Sequence, residues 1–239
     1  MYRIILLVLR LLWKVPYYIV QLIKYQKVDK YSEEERYGFI RRLLIDVTRA
    51  GRIDVVYSGL ENLPEENGYL MAPNHQGLFD PVIIAVTHVR PTTAVIKKEL
   101  QSVPVVKQIA VIAQAQAMDR ENIRASMKVI KQVTKELKEG RNYIIFPEGT
   151  RSRQGNIMGE FKGGTFKSVV EAEKPIVPVA CIDCYKPFDT KSIKRVTSQV
   201  HYLKPIYPSE YKGMSTVEIA QLVQSRIQDK MNEILQNKE

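Results

Sequence analysis

Hydrophobic and polar positions change rhythm along this chain, and the first rhythm is helical. Residues 1–27 are apolar, up to the closing Gln26 and Lys27, except at Arg3, Arg10, Lys14, Gln21 and Lys24, which fall in one narrow stripe at about 100° per residue. The pattern predicts a basic, strongly amphipathic helix in which Trp13, Tyr17 and Tyr18 supply interfacial rings. Such a helix is expected to lie along a membrane surface, its apolar face at the acyl boundary and its cationic stripe on anionic lipid. A spanning helix is the competing expectation, because the stretch is near the ~20 residues a bilayer needs, but Arg10, Lys14 and Pro16 cut the uncharged run well short of that length. A cleavable secretory signal fits less well, since the same cations interrupt the apolar region and no small-residue cleavage site follows. After a polar break at 27–35, residues 36–49 resume the helical rhythm with Ile40, Leu43, Leu44 and Val47 on one face. This second helix either joins the first at a membrane or packs on the core.

From Ile53 the rhythm alternates. Strand-like runs at 55–58 and 69–72 precede a helix from Pro81. Strand 93–96, a short helix at 105–110 and strand 113–118 follow. A long amphipathic helix at 121–138 ends at Gly140, before strands 143–146, 176–182 and 195–203 and a terminal helix at 216–237. Strands alternating with helices predict an α/β fold with a largely parallel central sheet flanked by helices. A chain of 239 residues with 45% apolar content suffices for one such domain and an appendage. The expected division is a helical docking element at 1–50 and an α/β domain at 51–239.

A formal charge of +10 attracts polyanions, among them nucleic acid, anionic lipid headgroups, coenzyme A and acidic carrier protein. Nucleic acid is excluded as the expected partner, because neither a basic patch interleaved with stacking aromatics nor a recognised binding module is present. Cys181 and Cys184 form a Cys-x-x-Cys, but no second pair or nearby histidine completes a zinc set. They read as reduced structural thiols, which suits a cytosolic face, and no metal or cofactor is expected. His88 and His201 have no motif around them and read as structural.

Two short motifs carry chemistry: NHQGLFD at 74–80 and FPEGTRS at 146–152. Imidazole titrates near neutral pH, and a carboxylate that accepts from one ring nitrogen leaves the other free to take a proton. His75 and Asp80 therefore suit abstraction of a hydroxyl proton. Asp80 also stands before Pro81 and an apolar run, the mark of a helix N-cap. In the second motif a buried strand at 142–146 ends in a turn at Pro147, Gly149 and Thr150, which delivers Arg151 to a strand terminus, where open α/β sheets place ligands. An arginine fork there can grip phosphate oxygens while Thr150 and the turn amides add neutral donors, and Glu148 is expected to brace Arg151 or the turn.

Together the motifs resemble the Asn-His-x4-Asp and Phe-Pro-Glu-Gly-Thr-Arg-Ser signatures of the glycerolipid acyltransferase family, in particular its bacterial members that act on 1-acylglycerol 3-phosphate. Residues 117–120 (AMDR) and 176–180 (IVPVA) resemble two weaker blocks of the same pattern, so the likeness runs from about Gly59 to Ala180. The resemblance implies transfer of a fatty acyl group from acyl-CoA or acyl carrier protein to the free hydroxyl of a lysophospholipid. It implies His75 as general base, Asp80 as its orienting partner, and Glu148, Gly149, Thr150 and Arg151 in the substrate pocket. Arg120 and Lys97 match further phosphate ligands or oxyanion stabilisers, with Lys98 hard to tell from Lys97 and a solvated lysine pair equally open. It likewise implies an anionic membrane surface, at the cytoplasmic face, under an N-terminal helical pair. Direct attack by the alcohol needs no enzyme nucleophile, and no Gly-x-Ser-x-Gly elbow is present to make Ser152 one. Transfer to glycerol 3-phosphate or another lysolipid, and a non-catalytic basic membrane-binding protein, are the alternatives.

Overall fold

A computed structural model describes residues 2–236; Met1, at the start of the first predicted helix, and Asn237, at the end of the last, lie outside the described residues, with 238 and 239. Seven strands form one sheet: β1 (Ile53–Ser58), β2 (Leu70–Pro73), β3 (Thr92–Lys97), β4 (Gln116–Met118), β5 (Asn142–Ile144), β6 (Ile176–Ile182) and β7 (Val196–Tyr202), in the order β1-β7-β6-β2-β5-β3-β4. Every neighbouring pair is parallel except β6 with β7. The carboxyl ends of β2 to β6 thus share one edge, where the amino ends of β1 and β7 also lie.

Ten helices accompany the sheet among the described residues: α1 (Tyr2–Leu11), α2 (Val15–Tyr25), α3 (Glu33–Ala50), α4 (Asp80–Thr87), α5 (Val106–Ile112), α6 (Ile123–Lys138), α7 (Lys167–Ala172), α8 (Lys186–Asp189), α9 (Pro208–Tyr211) and α10 (Thr216–Gln236). Every residue of β6 is buried, and its side chains alternate between two cores, as expected of a strand covered on both faces. Ile176, Ala180 and Ile182 join Leu137 of α6, Val169 of α7 and Val223 of α10 on one side. Val177, Val179 and Cys181 join Phe79, Ile83 and Ile84 on the other.

α3 starts where the sequence offers a complete capping box: the Ser32 hydroxyl accepts from the Glu35 amide, and the Glu35 carboxylate accepts from the Ser32 amide. Tyr18 and Tyr25 of α2, Phe39, Ile40 and Leu43 of α3, and Ile112 of α5 make a third core. The second predicted helix therefore packs on the α/β body and carries the first pair on its outer side. Tyr37 donates to the His88 carbonyl at 2.9 Å and Arg41 to the Val86 carbonyl at 3.1 Å, fixing α3 to the end of α4.

Two expectations are corrected here. The first concerns the cationic stripe, which faces the protein and not lipid. Arg3 is fully buried and donates to the carbonyls of Pro187 and Lys194, each at 2.8 Å, and to that of Gly51. Arg10 donates to the Ala50 carbonyl at 3.3 Å, and Lys14 pairs with Asp46 at 2.5 Å. The physical reason is that the last carbonyls of α3 lack partners within their helix and carry its negative end, so cations settle there. The apolar face is left outward, with Leu9 67% and Trp13 76% exposed. A 3-10 turn at Leu12–Lys14 separates α1 from α2, and Tyr2–Tyr25 as a whole is long and apolar enough to cross a membrane by length and composition. The second correction concerns Asp80: the α4 N-cap is Phe79, and Asp80 lies inside the first turn with its carboxylate turned back to the preceding loop.

Candidate active site

β2 ends at Pro73, and the next three residues are tied down one by one. The Asn74 carboxamide makes a two-way clamp on Cys181 at the end of β6, accepting from its amide at 2.7 Å and donating to its carbonyl at 3.0 Å. Gln76 accepts from the Cys184 amide at 2.9 Å and donates to Asn156 at 2.9 Å. Between these anchors stands His75, its ring stacked on Phe146 of the second motif with centroids 4.0 Å apart and planes at 27°.

His75 Nδ1 lies 2.6 Å from Asp80 Oδ2, which also accepts from the amides of Gln76 at 2.6 Å and Gly77 at 3.0 Å. The carboxylate fixes the hydrogen on Nδ1 and leaves Nε2 as the acceptor. Asp80 is fully buried, whereas 19% of the His75 side chain reaches solvent, so the pair is a sealed carboxylate behind an open imidazole. Burial pushes the Asp80 carboxyl above the usual carboxylate range, opposed by His75 and the two amides, all of which serve the same oxygen. Its Oδ1 has no hydrogen-bond partner among the described residues. Gly77 permits the tight loop, since a Cβ there would lie 2.6 Å from Asp189 Oδ2 and 2.9 Å from the Tyr185 Cα.

Glu148 joins the two motifs. Its Oε1 accepts from the His75 amide at 2.7 Å and its Oε2 from the Gly159 amide at 2.9 Å, while the Ser152 amide donates to the His75 carbonyl at 2.9 Å. Glu148 therefore braces the histidine loop rather than Arg151, because Arg151 lies past the turn and points to Asp189 at 3.4 Å. Burial pushes the Glu148 carboxyl up as well.

The turn itself needs glycine at 149, where φ is +73°. A Cβ on Gly149 would lie 3.5 Å from Lys162 Nζ and 3.8 Å from Arg120 Nη1, so two exposed cations converge over this turn beside the exposed Thr150. Arg120 arrives just past β4, and Lys97 ends β3, both at the same sheet edge as His75. Lys97 turns to Glu99 at 3.1 Å and Lys98 to Asp119 at 3.1 Å. Lys162 was not singled out by sequence reasoning. Its signal lay in the glycine- and charge-rich loop after FPEGTRS, which is pinned back to the site by the Lys162 amide donating to the Pro147 carbonyl at 3.0 Å.

For a metal, the described residues offer one grouping, Asp80 with Cys181 and Cys184, whose ligand atoms lie within 4.8 Å of one another. These supply three donors, one fewer than a structural zinc site uses, and burial pushes the Cys184 thiol well up, away from the thiolate a metal needs. Cys184 Sγ instead donates to the Gln199 carbonyl at 3.5 Å.

An α/β sheet whose parallel strands deliver a histidine–carboxylate pair and a cationic turn to one edge is the frame of a group-transfer enzyme. The chain belongs to the Acyltransferase family, whose model matches residues 54–182. It is 31% identical to the 1-acyl-sn-glycerol-3-phosphate acyltransferase of Borreliella burgdorferi over 53% of this chain and 50% of that protein, so the matched stretch spans about half of that relative's length. A probable enzyme of the same name from Mycoplasma pneumoniae is 29% identical over 80% of this chain and 76% of its own. The one from Salmonella typhimurium is 30% identical over 67% and 66%. The crystal structure of the 1-acyl-sn-glycerophosphate acyltransferase PlsC from Thermotoga maritima superimposes with a TM-score of 0.78, covering 96% of this chain and 95% of that one at 21% identity, and so shares the fold.

Proposed function

We propose that this protein transfers a fatty acyl group from a thioester, acyl-CoA or acyl carrier protein, to the free hydroxyl of 1-acylglycerol 3-phosphate, giving phosphatidic acid. The observation that carries the reading is His75 held by a sealed carboxylate at 2.6 Å, with Arg120 and Lys162 gathered at the Gly149 turn of the adjoining motif. The names of the relatives supply the acceptor class.

In this reading His75 Nε2 takes the hydroxyl proton as the oxygen attacks the thioester carbonyl, and the imidazolium then returns that proton to the leaving thiolate as the C–S bond breaks. Asp80 holds the ring and offsets its transient charge. Lys97, Arg120, Lys162 and Arg151, with Gly149 and Thr150, take the acceptor's phosphate, while Glu148 keeps the base aligned with that cradle. Residues 1–50 dock the catalytic domain, 51–239, on a membrane, with the outward apolar face of α1 and α2 in the lipid interface and their cations spent on the protein. Two free, buried cysteines support the cytoplasmic face.

The test is transfer of labelled acyl groups to 1-acylglycerol 3-phosphate and, separately, to glycerol 3-phosphate by wild type, His75→Ala and Asp80→Asn in detergent micelles. Activity on the lysolipid that collapses in both variants is expected. Activity on glycerol 3-phosphate alone moves the assignment to that acceptor, and no transfer from either donor overturns the enzyme reading.

A further inference from the structure

The connection from β3 to α5 contains an apolar tip only partly covered by protein. Residues 101–107 (QSVPVVK) are all exposed, and within them Val103 is 41% and Val105 50% exposed, followed by Val106 in the first turn of α5. Val105 has a φ of +67°, a conformation that β-branched residues rarely adopt. Pro104 and this left-handed residue turn the chain so that valines point outward before the helix begins. A solvated loop is ordinarily built from small polar residues, so a run of valines held outward calls for an apolar environment around it.

What covers the tip follows from its neighbours. The inner side of α5, Ile109 and Ile112, packs in the third core against α2 and α3, so α5 and α2 are neighbours on that core. α2 carries an uncovered apolar face of its own, Tyr17, Ile19, Val20 and Ile23 among it. Charge points the same way: the exposed Lys107 follows the tip, and from Leu100 to Met118 the chain has no acidic residue, while the acids on either side, Glu99 and Asp119, are paired with Lys97 and Lys98. Exposed apolar side chains beside a lysine, with the neighbouring acids already ion-paired, match an anionic lipid interface. The tip follows Lys97 after one short 3-10 segment, Lys98–Ser102, and Lys97 stands at the sheet edge that holds His75.

We propose that the Val103–Val106 tip is a second membrane-inserting element, seated in the same lipid interface as α1 and α2 and holding the carboxyl edge of the sheet, with its site, at the bilayer surface. The inference rests on the membrane docking of α1 and α2 proposed above. Two attachments joined through one core fix the tilt of the molecule, where one amphipathic pair alone leaves it free to roll. An acceptor whose acyl chain stays in the bilayer then meets His75 without leaving the membrane.

Trp13 is the sole tryptophan and lies between α1 and α2, so it reports on the first attachment and can be replaced to report on the second. The experiment uses full-length protein, as wild type and as the Trp13→Phe/Val106→Trp variant, with phosphatidylglycerol vesicles containing acyl-brominated phosphatidylcholine. Both tryptophans are expected to shift to the blue and lose fluorescence to the bromines. Quenching of Trp13 with an unshifted, unquenched reporter at 106 overturns the second attachment and leaves the first standing. Quenching at neither position overturns membrane docking itself. As a check independent of the reporter, Val106→Asp in the wild-type background is expected to weaken vesicle partitioning by roughly tenfold, the loss of one inserted apolar side chain plus a charge repelled by anionic lipid. Unchanged partitioning of this variant counts against the proposal.

Discussion

His75 and His88 sit at the two ends of one short stretch of chain around α4, and their surroundings make them opposites. His75 meets a sealed carboxylate through Nδ1 and shows its ring to solvent. His88 is fully buried among neutral partners: Nδ1 lies 2.9 Å from the Arg90 carbonyl, so it carries the hydrogen, and Nε2 accepts from the Tyr69 hydroxyl at 2.6 Å. Burial, aided by the nearby cations Arg90 and Arg41, lowers the His88 pKa to about 4, which keeps it neutral through the physiological range. One imidazole is thus equipped to become charged and back again, and the other is a strut between α3, α4 and β3. A histidine's chemistry is set less by its own ring than by whether a carboxylate stands behind it and water in front.

The sharpest way to break this contrast is to remove each ring. His75→Ala is expected to lower kcat for acyl transfer by about 10³-fold, within the range of general-base losses, while stability falls by about 2 kcal/mol because the buried Asp80 carboxylate loses a hydrogen-bond partner along with the ring's stacking on Phe146. Steady-state kinetics beside thermal unfolding checks both. A variant that keeps a tenth of wild-type activity dismisses His75 as base.

For His88 the effect appears as a pH dependence of stability. Its folded pKa, about 4, lies below the ordinary 6.5, so between these values the unfolded chain binds the proton first. Stability from this group is complete above about pH 6.5 and is lost as the pH falls toward 4, to a total of about 3 kcal/mol at about 1.4 kcal/mol per pH unit. Urea unfolding of wild type and His88→Gln at pH 7 and pH 5 should show the difference shrinking at the lower pH. Asp80 and Glu148, whose carboxyls are raised, act in the opposite sense, gaining stability as the pH falls, and the subtraction removes them. A parallel decline in both proteins places the acid sensitivity elsewhere.

Why one histidine was legible in the sequence and the other was not follows from the same contrast. His75 shares its short motif with its partner Asp80, so a local pattern carries the whole dyad. His88 depends on Tyr69, Arg90 and Thr92, brought together only by the packing of β2, α4 and β3, and it read simply as structural. The same division runs through the fold. β6 announced itself because every residue from Ile176 to Ile182 is buried, and the largely parallel sheet followed from the strand and helix alternation. The six-residue α7 was not assigned, being too short to show a helical period. Periodicity found the cationic stripe of the first helix but not its orientation, since a stripe in sequence looks the same whether lipid or the end of α3 covers it. Lys162 stayed hidden because its position over Gly149 is made by a loop of no regular period.

Smaller in effect is the brace behind His75. Glu148 accepts from two amides, so Glu148→Gln puts an NH2 group against the His75 or the Gly159 amide and leaves a buried donor unsatisfied, at a cost of about 2 kcal/mol. Because that amide belongs to the residue proposed as base, kcat should fall by about tenfold or more, whereas an equally destabilising change beside His88 should lower the melting temperature and leave kcat in place. If the Gln variant only melts earlier, Glu148 is as structural as the Tyr69 contact of His88.

The smallest expected effect concerns what each ring looks out upon. The cations nearest His88 are committed to protein carbonyls, Arg90 to Pro64 at 2.5 Å and Arg41 to Val86 at 3.1 Å. The Lys162 ammonium is exposed beside Arg120, where a phosphate can reach both. Lys162→Ala should therefore raise KM for 1-acylglycerol 3-phosphate by about tenfold, one charge-assisted contact at the partly screened rim of a site, with kcat little changed. Lys98→Ala, whose ammonium already pairs with Asp119, serves as the control and should leave KM within about twofold. Equal KM values for the two variants would mean that the Gly149 turn draws cations together without using them, and the open histidine would then face an acceptor held by Arg120, Arg151 and Lys97 alone.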